Sequence, residues 1–173
     1  MLPSPKLPDV LVPGLRVVFC GTAAGDKSAA VGAYYAGPGN QFWSTLHTVG
    51  LTPRRLAPSD FSALPEYGIG LTDIAKYYAG NDANLGTADF NVPVFREKLE
   101  NFQPRVLAFN GKKAAAAFYG CGTGNLPYGR QANRIGDTVI WVLPSTSGNA
   151  RRYWNHGPWR DLAQFVQAFG MRS

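Results

Sequence analysis

Few segments of this sequence carry side chains suited to catalysis, and most of them have an ordinary structural interpretation. The glycine-rich loop at 21–25 follows a short apolar run but lacks the Gly-Lys-Ser/Thr ending of a phosphate-binding loop. His47 and His156 have no partner carboxylate nearby in the sequence, and we interpret both as structural. Cys20 has no neighbour that would activate its thiol, so we expect a small core residue. A Ser/His/Asp arrangement is not visible, so these motifs alone predict no chemistry.

The composition indicates one globular domain. A chain of 173 residues fits a single domain, and its hydrophobic fraction of 45% excludes disorder for most of its length. The apolar runs are too short for a membrane span, and residues 1–12 lack the layout of a signal peptide. Two cysteines cannot supply a disulfide framework or a zinc site. We therefore expect a reduced, intracellular protein.

The positive charge is divided among three basic doublets. The chain has 17 Lys and Arg against 11 Asp and Glu, a formal net charge of +6. The doublets are Arg54-Arg55, Lys112-Lys113 and Arg151-Arg152. Each is typical of a solvated surface, but three doublets beside glycine-rich segments are also suited to a phosphate backbone. Charge alone therefore permits a nucleic-acid partner without identifying one.

Strands and helices are predicted to alternate along the chain. Short apolar runs predict strands at 15–20, 69–74, 105–109 and 138–143. Helical spacing predicts helices at 40–49, 92–102, 113–119 and 158–169. Asn40 is the expected N-cap of the first helix, and Asp89 is interpreted as a capping residue before the second. This alternation predicts one α/β domain over 1–173, with a mostly parallel four-stranded sheet flanked by helices and a loosely ordered segment at 1–12.

The segments that follow the predicted strands are the best place to look for a binding site. The carboxyl ends of parallel strands meet at one edge of a sheet, and ligands bind there in this architecture. The four following segments contain small, polar or basic residues: 21–25, 72–73, 110–112 and 144–152. We expect them to share one rim, although the architecture names no substrate.

Six blocks of the sequence, in unchanged order, resemble the mismatch-specific uracil-DNA glycosylases, the branch of bacterial Mug and eukaryotic thymine-DNA glycosylase. The most specific block is Gly-Pro-Gly-Asn-Gln-Phe-Trp at 37–43. The others lie at 13–21, 67–72, 103–105, 109–112 and 143–147. Together they extend over most of the chain, so the resemblance implies the three-layer uracil-DNA glycosylase fold.

The resemblance also implies an activity. Members of this family are monofunctional DNA N-glycosylases, which hydrolyse the N-glycosidic bond of a flipped-out base in double-stranded DNA and leave an abasic site. We expect uracil opposite guanine as the preferred substrate, with other damaged bases admitted by a roomy pocket near Gly32, Ala33 and Ala36. No cofactor or metal is implied, and we expect a monomer in the cytoplasm, associated with the nucleoid if the protein is bacterial.

The resemblance assigns the base pocket and the DNA contacts. The pocket residues are Thr22, Ala23, Tyr35 as the aromatic platform, and Asn40. The loop that enters the base stack corresponds to Ser147, Gly148, Asn149 and Ala150, with Asn149 nearest the wedge position. Arg151 and Arg152 beside it, and Lys112 at a strand-to-helix junction, would hold phosphates, although each of the three is also typical of a solvated charge.

The sequence departs from this family at the catalytic position. Ala23 replaces the Asn that positions the attacking water, and Ala24 replaces the following Pro. A carboxylate could take over that function, because it stabilises positive charge on the sugar and orients or deprotonates water. Asp73, at the end of the second predicted strand, is the first candidate and Asp26 the second. The alternative for Asp73 is a strand-end carboxylate with a structural hydrogen bond.

Two other functions stay open on the sequence alone. The loss of the Asn side chain at Ala23 would also suit a catalytically inactive module that binds mismatched DNA. A nucleoside-processing α/β enzyme is the third possibility, and it would act on free nucleosides without a salt dependence.

Overall fold

A five-stranded sheet forms the centre of the protein. The computed structural model describes residues 6–76 and 90–169, and its strands follow the order β2-β1-β3-β5-β4. The strands are β1 Val17–Gly21, β2 Ile69–Asp73, β3 Val106–Asn110, β4 Gly129–Ile135 and β5 Thr138–Leu143. The first, second, third and fifth are parallel, so their carboxyl ends lie at one edge.

Five α-helices pack around this sheet. They are α1 Asp26–Val31, α2 Phe42–Thr48, α3 Val92–Phe102, α4 Lys112–Tyr119 and α5 His156–Gln167. Two longer 3-10 segments lie at Pro58–Tyr67 and Gly148–Tyr153. Asn91 caps α3, since its side chain accepts a hydrogen bond from Val94 N, while Asp89 lies outside the described residues. None of the helices within the described ranges is long and apolar enough to cross a membrane.

The two faces of the sheet have separate cores, which gives the molecule three layers. Side chains of a strand alternate between faces, so Phe19 packs on one side and Val18 on the other. The core around Phe19 includes Trp159 of α5, whose ring stacks on Phe19 with centroids 5.4 Å apart. The opposite core includes Phe95 of α3. The predicted α/β architecture with helices on both faces is therefore confirmed.

The prediction of four strands missed the fifth strand, β4. Its sequence, Gly-Arg-Gln-Ala-Asn-Arg-Ile, is polar and mostly exposed, since it pairs antiparallel with β5 at the sheet edge. An edge strand of this kind has no continuous apolar run that would indicate it. The signal that could have found it is the two-residue connection Gly136-Asp137, typical of a hairpin.

The expectation of a loosely ordered N-terminal segment is wrong for residues 6–12. Leu7 is only 1% exposed and belongs to the core. Val10 forms an antiparallel bridge with Leu71, with both backbone hydrogen bonds at 2.9 Å. The segment therefore covers the free side of β2, which would otherwise be an open sheet edge.

Candidate active site

One cavity of about 530 Å³ opens at the carboxyl edge of the parallel strands. Its walls include residues at or after the ends of the four parallel strands, at 21–25, 73, 110–113 and 145–150. Residues 34–35, 37–38 and 40 close another side. The described part of the chain thus brings together segments that are more than 120 positions apart in sequence.

The end of β1 and the end of β2 form a buried polar part of this cavity. Asp73 is only 5% exposed and stands opposite Gly21 in the parallel register. A Cβ atom on Gly21 would lie 2.7 Å from Asp73 Oδ1, so only glycine leaves room for that carboxylate oxygen. After the strand, Ile74 N donates to Gly21 O and Ala75 N donates to Thr22 O, at 3.0 and 2.7 Å. These bonds hold the Asp73 backbone against the Gly21–Gly25 loop.

Tyr35 reaches the same point from the other side. Its hydroxyl oxygen lies 3.2 Å from the position that a Gly21 Cβ would take. The hydroxyl is buried and has no hydrogen-bond partner among the described residues. Burial and then the negative charge of Asp73 raise the pKa of Tyr35 well above its usual value, and the polar Asn110 side chain offsets only part of this. The hydroxyl therefore keeps its proton and can act as a donor.

The backbone at Tyr35 is held in an unusual conformation. Its φ of +54° lies in the left-handed region that a bulky side chain rarely adopts. The side chain is held by a ring contact: the Tyr35 ring packs on the Phe42 ring, with centroids 4.2 Å apart and planes inclined by 31°. Tyr35 lines the cavity, and its ring is held by this packing.

Asn110 is a site residue that the sequence analysis did not select. It ends β3, is 8% exposed and lines the cavity. Its Nδ2 donates to Thr146 Oγ1 at 2.9 Å, and its Oδ1 accepts from Thr146 N at 3.0 Å. This double hydrogen bond fixes the start of the loop that carries Asn149. A polar residue at the end of a predicted strand was the available signal.

A charged network supports the cavity from behind. Asp9 accepts hydrogen bonds from Thr72 and Lys98 at 2.7 and 2.6 Å and forms an ion pair with Lys76 at 3.0 Å. Lys76 also donates to the Tyr34 hydroxyl at 2.8 Å. Burial would raise the pKa of Asp9, but the two lysines and Thr72 outweigh it and hold the pKa below its usual value. The network fixes Thr72, the residue before Asp73.

Two exposed loops meet at the mouth of the cavity. The Gly37-Pro38-Gly39 turn lies against the 3-10 segment Gly148–Tyr153, where a Cβ on Gly148 would be 3.1 Å from Pro38 O. Arg151 Nη2 donates to Gly39 O at 3.3 Å across this contact. The predicted wedge residues Ser147, Gly148, Asn149 and Ala150 all line the cavity, and Asn149 is exposed.

The remaining predicted residues have defined positions too. Thr22, Ala23 and Asn40 line the cavity, and Asn40 Oδ1 accepts from Phe42 N at 3.0 Å at the start of α2. Gln41 is the N-cap of α2, one residue after the predicted Asn40. Lys112 also lines the cavity, but its ammonium lies over the Tyr128 ring, 4.3 Å from the centroid.

Several other residues named in the sequence analysis are exposed or lie outside the cavity. Asp26, the second carboxylate candidate, lines the cavity but is exposed in the first turn of α1. The prediction that Gly32, Ala33 and Ala36 widen the pocket is wrong, because none of these three lines the cavity. His47 and His156 lie outside the cavity as well.

The cavity is suited to acid-base chemistry on a polar ligand. It contains a buried carboxylate, a phenol that keeps its proton, and backbone amides at strand ends. Within the described ranges no three His, Cys, Asp or Glu side chains stand close enough to hold a metal ion. A lining with this chemistry can bind a polar ring and stabilise charge beside it.

Sequence comparison assigns this fold and cavity to a known group. The family model of the uracil DNA glycosylase superfamily matches residues 8–169. The chain belongs to this superfamily. Its members are DNA glycosylases, and the cavity described above lies within the matched region.

A solved structure supports the same fold. The solution NMR structure of a candidate uracil DNA glycosylase from Methanosarcina acetivorans is similar to this chain, with a TM-score of 0.63 and 23% sequence identity. The similarity covers 93% of this chain and 96% of that protein. The sheet with helices on both faces is therefore the uracil DNA glycosylase fold.

Proposed function

We propose that this protein is a DNA repair enzyme of the mismatch-specific branch that hydrolyses the N-glycosidic bond of uracil flipped out of DNA. The observation that carries the proposal is the buried Asp73 carboxylate in the cavity wall, with Oδ1 beside the Cα of Gly21. Two residues further along, Ala23 offers only a methyl group where the branch has its catalytic Asn. In this proposal Asp73 supplies the missing function.

The proposed reaction needs only water besides the DNA. As the bond between C1′ and the uracil nitrogen breaks, its electron pair stays with the base, and positive charge develops on the sugar. The Asp73 carboxylate stabilises this charge and orients a water whose oxygen forms the new bond to C1′. The carboxylate accepts the proton that this water loses, and the uracil anion takes up one proton through solvent, so the protons balance. The products are free uracil and an abasic site.

We propose that Tyr35 and the groups around it recognise the flipped base. The ring is already packed on Phe42, so its free surface can contact a flipped base without being reoriented. The Tyr35 hydroxyl is buried, keeps its proton and has no partner among the described residues, so it is suited to donate a hydrogen bond to a pyrimidine oxygen. Thr22 and Asn40 are proposed as further contacts of the base.

We propose that the exposed loop carrying Asn149 gives the protein its specificity for the mismatch. Asn149 is exposed at the cavity mouth, where its amide could enter the gap left by the flipped base. An amide both donates and accepts hydrogen bonds, so it can pair with the edge of the guanine opposite. We propose uracil opposite guanine as the preferred substrate, in double-stranded DNA, with Arg151 and Lys112 near its phosphates.

One observation favours a second candidate function. Because Ala23 cannot hold water, a protein in which Asp73 only supports the strand end would bind mismatched DNA without cutting it. The two candidates differ in turnover alone. A test of activity therefore separates them.

The decisive experiment measures uracil release from a duplex with one uracil opposite guanine, followed by alkaline cleavage of the abasic site. The protein should convert this duplex, and Asp73→Asn should lower the rate about 100-fold or more, because an amide cannot accept the proton. Asp26→Asn is the second arm and tests the exposed carboxylate. Asp137→Asn, in the hairpin turn at the opposite end of β5, is the matched control and should keep full activity.

The outcomes separate the candidates. No cleavage at stoichiometric protein, with tight binding of the mismatch, would support the inactive module. Full activity of Asp73→Asn with loss of activity in Asp26→Asn would move the catalytic role to Asp26. Unchanged duplex binding by Asp73→Asn is expected, since the substitution preserves side-chain shape.

A further inference from the structure

Beside the cavity lies a group of two aromatic and two basic side chains, and neither of its aromatic rings belongs to the proposed base pocket. We call Tyr128, Tyr153, Lys112 and Arg152 the tyrosine surface. The Lys112 ammonium lies 4.3 Å from the centre of the Tyr128 ring, and the Arg152 guanidinium carbon lies 4.9 Å from the centre of the Tyr153 ring. Tyr153 is 58% exposed, one of few large apolar side chains in the described ranges with that much exposure.

The two rings come from elements 25 positions apart in sequence, and each has a basic side chain over its face. Burial and then the charge interaction with Tyr153 raise the pKa of Tyr128. Tyr128 precedes β4, and Tyr153 ends the 3-10 segment that begins at Gly148. The surface therefore joins two elements at the same side of the molecule.

Two connections place this surface next to the cavity. Lys112 lines the cavity and contacts Tyr128, so the cavity wall and the surface share a side chain. In the 3-10 segment, Asn149 and Ala150 line the cavity, and Tyr153 follows within one turn. A strand with one nucleotide in the cavity would pass over the tyrosine surface with its neighbouring nucleotides.

The chemistry of the surface fits a nucleobase with its phosphate. An exposed ring with a cation on one face can stack on any base, since every base has a π face. Cations surround it, with Lys113 and Arg151 beside Lys112 and Arg152. Among the described residues that line the adjoining cavity, the carboxylates are the exposed Asp26 and the buried Asp73. The local charge therefore favours a polyanion over an acidic or neutral peptide.

We propose that the tyrosine surface stacks an unpaired base of the strand whose nucleotide enters the cavity, so that the protein binds single-stranded DNA. A base within a duplex has both faces covered by its neighbours, whereas an unpaired base has a face free for Tyr153. The inference rests on the proposed function for the identity of the strand. It extends that function from duplex DNA to single strands.

The test measures binding of an undamaged, fluorescently labelled thymidine 15-mer, which needs no glycosylase activity. Tyr153→Ala should weaken binding about tenfold, the loss expected for one stacked base, while Tyr153→Phe should retain most of the affinity. Arg152→Ala should lower the slope of log affinity against log salt concentration by about 0.7, the value of one phosphate contact on a single strand. The control Val94→Ala removes an equally exposed apolar side chain from α3 and should change nothing.

The outcomes also keep this inference distinct from the proposed function. Loss of 15-mer binding in Tyr153→Ala, without uracil release by the parent protein, would support the surface and contradict the enzyme. Equal binding by Tyr153→Ala and the parent would overturn the surface. An equal loss for single strands and undamaged duplex would overturn it too, since it would indicate backbone contacts alone. A fall from dimer to monomer in sedimentation of Tyr153→Ala would assign the surface to self-association.

Discussion

The floor of the cavity and its rim differ in how firmly their side chains are held. The floor consists of buried groups: Gly21, Asp73, Asn110 and Thr146 at or after strand ends, and the Tyr35 hydroxyl beside them. The rim consists of 37–39 and 147–151, two loops that carry exposed residues and touch mainly each other. The two regions are adjacent but obey different physical requirements.

This difference fits the proposed reaction, in which the floor stabilises charge and the rim binds DNA. A charge that stabilises a developing cation is effective only if it is fixed before the reaction, because moving it into place costs free energy during the reaction. A surface that meets DNA of any sequence has to adapt and depends on screened charge interactions. Substitutions in the floor should therefore change the rate, and substitutions in the rim should change affinity.

A loss comparable to that of Asp73→Asn is expected from Gly21→Ala in the floor. Its new Cβ would lie 2.7 Å from Asp73 Oδ1 and 3.2 Å from the Tyr35 hydroxyl, so both side chains have to move. We expect uracil release to fall about 100-fold, because a displaced carboxylate loses most of its effect on the reacting atoms. Single-turnover kinetics on the uracil:guanine duplex measure this change.

Gly122→Ala is the matched control for that substitution. An added Cβ there would meet no atom within 4 Å, and its φ of −81° suits alanine. Its rate should equal that of the parent protein. A normal rate in Gly21→Ala would mean that the floor tolerates displacement and that the contrast with the rim is unfounded.

A smaller effect, on stability, is expected from Asp9→Asn behind the floor. The neutral side chain would leave Lys76 and Lys98 without their shared carboxylate, and Lys76 is only 11% exposed in its side chain. We expect the free energy of unfolding in urea to fall by about 2 kcal/mol at pH 7, less than for a fully buried pair because Asp9 is partly exposed.

The pH dependence of stability checks the same network. The pKa of Asp9 is lower in the folded protein than in the unfolded chain, so its contribution is complete above the unfolded value of about 4. That contribution is lost as the pH falls through the folded value. The stability difference between the parent and Asp9→Asn should therefore shrink from pH 7 toward pH 3, while Asp137→Asn should follow the parent throughout. A constant difference across this range would contradict the assigned network.

In the floor, the sequence could predict residues that end apolar strands but not the hydrogen bonds between distant segments. The four parallel strands are apolar runs, and Asp73 was found because it ends one of them. Asn110 was missed because its role depends on Thr146, 36 positions away, and the Asp9 network joins residues up to 89 positions apart. No local pattern reports such partners. The polar strand β4 was missed because its stability comes from pairing with β5 rather than from buried side chains.

The two loops at 37–39 and 147–151 are a different case, because local sequence motifs indicated each loop and the structure adds the contact between them. The Gly-Pro-Gly turn and the 147–151 loop were both indicated by the sequence blocks. Their contact through Gly148 and Pro38 O could not be inferred, because it depends on how two loops from distant strands approach each other. The interaction of Lys112 with Tyr128 could not be inferred for the same reason, because the two residues belong to different elements.

The smallest effect on the protein itself is expected from Arg151→Ala in the rim. The Arg151 side chain is exposed and makes one hydrogen bond, to Gly39 O, so stability should change by less than about 0.5 kcal/mol. Loss of one phosphate contact should weaken duplex binding about threefold to tenfold at low salt and lower the salt slope by about 0.9. The single-turnover rate at saturating protein should stay within about twofold of the parent, because a uniform binding contact leaves the chemical step unchanged.

Arg54→Ala provides the comparison that makes this result informative. Arg54 belongs to another basic doublet, is 62% exposed in its side chain and lies outside the cavity, so its removal lowers the net charge equally. An equal fall in duplex affinity for both variants would assign the binding to overall charge rather than to the rim. A rate loss in Arg151→Ala as large as that in Gly21→Ala would mean that the 148–151 loop positions the floor, since its hydrogen bond to Gly39 would then support Tyr35 and the reacting base.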